Sequence, residues 1–546
     1  MKLKKNTFIQ GAFIATLGIV ISKILGIIYV IPFYAVIGDQ GGALYGYAYN
    51  IYSIFLGISQ AGLPLAMSKL ISEYNTLGYY ETKERAYKVG RTFLNIIGVV
   101  CFLILFIFAP QIADLIIGGV KDGNTPEDIV FVIRIISTAI LVVPILSVSR
   151  GYLQGHKFIS PTPISQVIEQ VVRVVIIVAG SFVMVKVFNM PITLAVGCAV
   201  FAATIGAVCS YLYIHHKIKT NKDLLIQKSK KKEPYIPTKE ILKQLIIYAV
   251  PFVMIDLFRS FYNSVDVVTL VKTLVYDFDY VTKDAETVMS VISTWGLKLN
   301  MIIISIVSGM MTSLIPNLTS SFVKNDMKDV SKKINQTIQV ILSIALPLTV
   351  GLSFVTPLVW RTFYGVSTYG PITYRYLVFV AFATTLFTSF TTILQLLKQY
   401  KMVFVTLIAG FLTKLCLNVP LMHLFNGIGI YPFYGAITAT ILGFLVSALI
   451  SAIYINRKFK ISYKDTYKEL LNIFIGVALM LVVLFMLELI LPLDVRSRLL
   501  SFAFAGVYAV VGGAVYLIYA YKSGTLERVF GKEFFGKIKN RLKRKK

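Results

Sequence analysis

Ser22-Lys23-Ile24-Leu25-Gly26 sets a lysine inside an otherwise apolar run. The run continues to a glycine-rich turn, Gly38-Asp39-Gln40-Gly41-Gly42, and then to a second apolar stretch ending at Gly62-Leu63-Pro64. A charge at depth in hydrocarbon costs about 2.5–3.5 kcal/mol on insertion scales, so such a lysine faces a bundle interior or a wet cavity. Lys23 therefore marks a membrane helix and points to a polar site among its neighbours.

The composition outside this stretch agrees. Of 546 residues, 56% are hydrophobic and 15% charged, whereas soluble domains carry roughly 25% charged residues. A bilayer core needs about 20 apolar residues per helix, and such runs recur about fourteen times between residues 8 and 521. Strand alternation is absent, which excludes an outer-membrane barrel. The expected fold is an all-α polytopic membrane protein with about fourteen transmembrane helices.

The net charge is +28, but the Lys and Arg gather in alternate loops. That positive-inside pattern places both termini in the cytoplasm and accounts for the basicity without nucleic acid. Attraction of the basic loops to membrane lipids follows as a secondary effect. Lys2, Lys4 and Lys5 precede an apolar run too long for a signal peptide and without a small-residue cleavage site, so it reads as a retained first helix. The four cysteines (Cys101, Cys198, Cys209, Cys416) lie in apolar runs and read as packing residues. Neither they nor the four histidines show metal-ligand spacing, and no Walker sequence is present. No metal, cofactor or catalytic group is expected; the chain reads as a transporter, not an enzyme.

Residues 217–243 form the most hydrophilic internal stretch, with nine lysines including Lys230-Lys231-Lys232, and read as a solvated linker. The division expected is an N-lobe of spans one to six (1–220), a basic cytoplasmic linker (221–244), a C-lobe of spans seven to twelve (245–456), and two further spans with a basic tail (457–546). Landmarks recur between the halves. Leu63-Pro64 with Ser68 is echoed by Ile315-Pro316 with Thr319-Ser320, and residues 153–157 by 397–401. Two parallel six-helix repeats with a midplane site would give this pattern.

Span eight carries Ser290, Thr294, Lys298, Ser305, Ser308 and Thr312 at helical spacing, a polar face with one cation at its middle. The depth of Lys298 favours a cavity over snorkelling to the headgroups. Span seven holds Asp256, Arg259, Asn263 and Asp266 along one face. A structural Asp256–Arg259 pair is at least as good a reading as a substrate contact, and carboxylates in a cavity leave ion binding or gating open. Asp39 in the first turn joins them as a gating candidate. Glu169 and Arg173 form an i,i+4 pair in the favoured order and read as structural. Lys414 with Asn418, and Arg134, read as packing or snorkelling residues.

Three passages carry a resemblance. They are residues 22–32, Gly41-Gly42-Ala43-Leu44-Tyr45, and Arg150-Gly151-Tyr152-Leu153-Gln154-Gly155-His156-Lys157 running into Ser165-Gln166-Val167-Ile168-Glu169-Gln170 and Arg173. With the fourteen-span plan, they resemble the MurJ-type flippase branch, in Gram-positive bacteria, of the multidrug/oligosaccharidyl-lipid/polysaccharide exporter superfamily. The resemblance implies export of an undecaprenyl-pyrophosphate-linked glycan, lipid II for peptidoglycan, across the cytoplasmic membrane. It also implies a cavity lined by essential cations and a role beside the cell-wall synthesis machinery. Lys23 and Lys298 match two such cations. Tyr29 stands where the family has a second first-helix arginine, and Leu56 or Gly57 where it has one in span two; Arg259 is the candidate replacement.

On this reading Lys23, Lys298 and Arg259, with Thr294 and Ser305, bind the substrate, and Asp256, Asp266 and Asp39 serve as ion or gating residues. An inside-negative potential favours outward movement of two negative charges by about 4–5 kcal/mol per 100 mV, so flipping needs no ATP. The alternatives are a flippase for another lipid-linked glycan (spore cortex, teichoic acid or exopolysaccharide), a cation-coupled multidrug antiporter, and a non-transporting scaffold. The lysines and the span count argue against the antiporter, and the intramembrane cations against the scaffold.

Overall fold

The computed structural model describes residues 22, 25, 26, 29–60, 63–120, 123–158, 160–226, 233–323 and 326–530. Among them no strand occurs, and the chain divides into two compact units, Met1–Lys298 and Leu299–Lys546. Among the described residues, eleven helices are long and apolar enough to cross a membrane. They coincide with the expected spans three to six and eight to fourteen. Of the other three, span one falls largely outside the described residues, while spans two and seven follow long helices described next.

In the first unit α1 (Val30–Gln60) contains the expected glycine turn, but the turn is a single residue. Gly38 (φ 63°, ψ −161°) takes a backbone conformation that side chains disfavour, and helix resumes at once on either side. After α1 come α2 (Leu63–Leu77), α3 (Tyr80–Ile107), α4 (Ala109–Ile117), α5 (Pro126–Ser137), α6 (Ala139–Gly155), α7 (Pro161–Val175) and α8 (Ile192–Thr220). Thr125 and Asp128 form a reciprocal capping box at the start of α5, with Pro126 at its first position. The short α9 (Lys222–Leu225) leads to α10 (Thr238–Phe278) and α11 (Thr282–Ser290). A π-helical turn, Val291–Trp295, then joins α11 to α12 (Gly296–Val323).

Glycine spacing sets how closely these helices approach. Gly151 and Gly155, four apart on α6, lie against the backbone of α2; a Cβ on them would fall 2.5 Å from the Pro64 carbonyl oxygen and 2.8 Å from that of Ser68. Small residues at this interval let two membrane helices meet backbone to backbone.

The basic linker is anchored at its described ends. The Glu233 carboxylate accepts from the Glu81 and Thr82 amides (3.0 and 3.1 Å), capping α3, whose N-cap residue Tyr79 supplies no side-chain bond. Arg85 donates to the Ile236 carbonyl and lies over the Tyr235 ring, and Lys83 donates to the Leu225 carbonyl. These contacts depart from the fully solvated linker expected; the run 230–232 lies outside the described residues. Burial pushes the Glu233 carboxyl up, but the two amides bind its charged form and hold it below the ordinary glutamate value.

The second unit continues with α13 (Met327–Phe354), α14 (Thr356–Tyr364), α15 (Gly370–Leu396), α16 (Tyr400–Gly427), α17 (Phe433–Phe459), α18 (Lys464–Glu488), α19 (Arg498–Lys522) and α20 (Thr525–Phe530). α16 packs along α17, and α13 meets both α15 and α18. Lys414 on α16 is fully buried and donates to Asn418 Oδ1 (2.8 Å) and the Ala436 carbonyl on α17 (3.0 Å). It is a packing residue that ties two helices, and snorkelling is excluded.

Candidate functional site

Tyr45, Tyr49 and Tyr52 lie at i, i+4 and i+7, on one face of α1. Tyr45 and Tyr49 stack with centroids 5.5 Å apart, and Tyr52 meets Tyr49 edge-on at 5.7 Å. Phe33 joins the series, 5.4 Å from Tyr45 and 6.1 Å from Tyr29. At one end the Lys298 ammonium sits 5.4 Å from the centroid of the Tyr29 ring, a cation–π arrangement. At the other, Arg173 donates to the Tyr49 hydroxyl at 3.2 Å. Tyr45 lies within electrostatic reach of both cations. Tyr29, Tyr45 and Tyr52 are buried, while Tyr49, Arg173 and Lys298 are half-buried, so the ladder shows its charged ends.

Beneath Arg173 lies a polar knot. Glu169 accepts from Arg150 at 2.9 Å and from Arg173 at 3.4 Å. Arg150 also donates to Ser165 and Ser210, both at 2.8 Å, joining α6, α7 and α8. The expected Glu169–Arg173 pair is present, and its shorter partner, Arg150, is one the i,i+4 rule does not reach. The tyrosines too were missed, although the spacing of Tyr45, Tyr49 and Tyr52 signals a common face.

The π turn divides the polar face of span eight. Ser290 donates to the Thr287 carbonyl and reaches Asp39 at 3.5 Å; Thr294 donates to the Gly42 carbonyl at 3.1 Å. Both are buried against α1 rather than lining an open cavity. Lys298 follows, half-buried, over Tyr29. Asp39 also accepts from Tyr34 at 3.1 Å, which holds it between α1 and α11. Asp266 is buried on α10. In the second unit Ser305 buries a hydroxyl without a hydrogen-bond partner among the described residues. Lys23, and the side chains of Asp256 and Arg259, lie outside the described residues. Among those described, no group of three or more His, Cys, Asp or Glu is placed to hold a metal.

The second unit contains a different kind of site, an apolar cavity of about 380 Å³ between α12, α13, α14, α18 and α19. Pro347, Met480, Leu484, Tyr508, Gly513 and Tyr516 are among its walls. Tyr508 gives its hydroxyl to the Leu491 carbonyl and Tyr516 to that of Ser343. Their polar atoms are thereby satisfied within the protein, and the rings serve as apolar wall.

Chemically, the first site offers two cations, one over an aromatic ring and one bonded to a tyrosine hydroxyl, suited to an anion; the second suits hydrocarbon. The family model for polysaccharide biosynthesis proteins matches residues 8–322. The chain is 35% identical to the lipid II flippase MurJ of Bacillus subtilis (strain 168) over 543 residues, 97% of this chain and 98% of that protein. It is also similar to stage V sporulation protein B of the same organism, at 26% identity over 226 residues, 41% of this chain and 42% of the relative. Among solved structures, it matches a lipid II flippase MurJ in an inward closed conformation with a TM-score of 0.64 at 16% identity, covering 94% of this chain and 99% of that one. An inward-facing multidrug transporter of the MATE family matches with a TM-score of 0.65 at 15% identity, over 82% and 98% of the two chains. The fold is thus shared by flippases and drug exporters alike, whereas the full-length sequence match selects between them. The chain belongs to the polysaccharide biosynthesis protein family and, within it, to the MurJ-type branch.

Proposed function

We infer that this protein is a lipid II flippase, a transporter and not an enzyme, that carries the lipid-linked peptidoglycan precursor across the cytoplasmic membrane. The observation that carries this reading is the match to B. subtilis MurJ over nearly the whole length of both chains. The chemistry of the two sites supports it. A lipid-linked diphosphate has roughly two negative charges that hydrocarbon will not admit. Lys298, with Lys23 and Arg259, neutralises them, and the apolar cavity takes the polyprenyl tail.

Thr294 acts on this site by fixing its helix to α1, and Ser305 offers a hydroxyl to the moving headgroup. Asp39, held by Tyr34 and Ser290 just after the Gly38 kink, latches α1 to α11; Asp256 and Asp266 are the candidates for ion coupling. The two six-helix lobes joined by the linker at 221–244 are the bodies that alternate, with both termini cytoplasmic, as in a Gram-positive cell. Membrane potential, worth about 2.3 kcal/mol per charge per 100 mV, drives the outward step. Membrane lipids and the cell-wall synthesis machinery are the expected neighbours.

The test is complementation. A host depleted of its MurJ-type flippase and lacking any substitute expresses this protein, and external accessibility of lipid II is assayed. Growth with lipid II exposed outside is expected. Failure, with the protein present in the membrane, shifts the assignment to another lipid-linked glycan; drug efflux by the same cells shifts it to an antiporter.

A further inference from the structure

Arg150 and Arg173 flank the same carboxylate but are held very differently. Arg150 makes three bonds of 2.8–2.9 Å and is 5% exposed. Among the described residues Arg173 has only the 3.4 Å contact to Glu169 and the 3.2 Å contact to Tyr49, and its Nε is buried with no hydrogen-bond partner there. A guanidinium has five donors in a fixed fork, and most of those of Arg173 are unused. Charge points the same way. Glu169 is claimed by Arg150 at the shorter distance, so one positive charge of the three-residue knot is uncompensated. An uncompensated buried charge is costly unless it meets a counter-ion, and the Arg173 side chain keeps 14% of its surface exposed.

We propose that Arg173 is a substrate ligand: its free donors take one phosphate of the lipid-linked diphosphate while Lys298 takes the other. Tyr45 lies within electrostatic reach of both cations, so the two can act on one headgroup. The planar fork suits phosphate oxygens better than a point charge does. Arg150 is then the structural partner of Glu169, and its presence leaves Arg173 available. This assignment rests on the flippase reading for the identity of the lipid, but the need for a diphosphate is its own.

The experiment uses the full chain in nanodiscs, with affinity measured for lipid II, undecaprenyl diphosphate and uncharged undecaprenol, alongside thermal unfolding. R173Q is expected to weaken both diphosphate lipids by about ten-fold or more, the loss of one charge-assisted contact, with undecaprenol unaffected and Tm held. R173K should recover part of the loss, whereas R150Q should lower Tm. Unchanged affinity in R173Q, or a fall in Tm that R173K repairs without any affinity change, overturns the proposal. If the wild type binds undecaprenyl diphosphate in an Arg173-dependent manner but not lipid II, the flippase reading fails and the Arg173 assignment stands. If it binds neither, both fall.

Discussion

The two compact units handle opposite chemistry. The first gathers Lys298, Arg173, Arg150 and Glu169 around stacked tyrosines, with the Tyr52 hydroxyl and the Arg173 Nε buried and unpartnered among the described residues. The second encloses an apolar cavity whose tyrosine hydroxyls are already spent on carbonyls. An amphiphile with a charged diphosphate and a long hydrocarbon tail needs both, and neither alone would distinguish it from a simple anion or a membrane lipid. If the division is real, changes in the first unit act on every diphosphate whatever its tail, and changes in the second act according to tail length.

The largest effect on transport is expected at Lys298. Lys298→Ala should reduce flipping by about 30-fold or more, corresponding to about 2 kcal/mol or more for a lost charged contact. The protein should remain folded, because removing a half-buried lysine strands no carboxylate among the described residues. A flipping assay in proteoliposomes checks this, and normal transport by the variant would end the role of Lys298. Arg150→Ala should act on stability instead, by about 3 kcal/mol, since it leaves Glu169 with one long contact and takes the shared guanidinium donor away from Ser165 and Ser210. Unfolding in denaturing detergent measures it. A stable Arg150→Ala protein that loses lipid II affinity would reverse the roles given to the two arginines.

This contrast shows what the sequence made legible. Hydropathy recurs over whole helices, so the all-helical plan and most of the spans are legible in the sequence. Local pairs were readable too, as Glu169 and Arg173 show. What remained hidden depends on residues far apart in the chain. Arg150 reaches Ser210 sixty positions away, and Lys414 finds the Ala436 carbonyl on the next helix. An unbroken 3.6-residue period through span eight puts its polar residues on one face. The π turn at Val291–Trp295 changes that period, so Ser290 and Thr294 close against α1 just before Lys298. Tyrosines in an apolar helix look like ordinary core until their hydroxyls and neighbours are seen.

The cavity of the second unit gives a smaller, tail-dependent effect. Gly513 lines it, and a Cβ there would meet no heavy atom within 4 Å. Gly513→Leu should therefore fill space without a clash while improving the helix. Affinity for lipid II with a full-length tail should fall by about five- to thirty-fold, or about 1–2 kcal/mol, with short-tailed analogues spared. Equal losses for long and short tails would show that the cavity does not hold the tail.

The smallest effect belongs to a charge that serves neither end of the substrate. Glu233 caps α3 through the Glu81 and Thr82 amides, and those amides hold its carboxyl below the ordinary value. A group with a depressed folded pKa contributes stability that is fully present above its unfolded pKa, about 4.3, and is lost as pH falls through the lower folded value. Wild-type unfolding temperature should thus drop on the acid side below about pH 4.3, and Glu233→Gln should flatten part of that drop. Because the carboxylate is largely solvent-screened, the change should be only about 0.5–1 kcal/mol at neutral pH. Lipid II affinity should not move at all. A binding defect in Glu233→Gln would mean that the linker communicates with the headgroup site, and the separation of head, tail and scaffold would have to be redrawn around it.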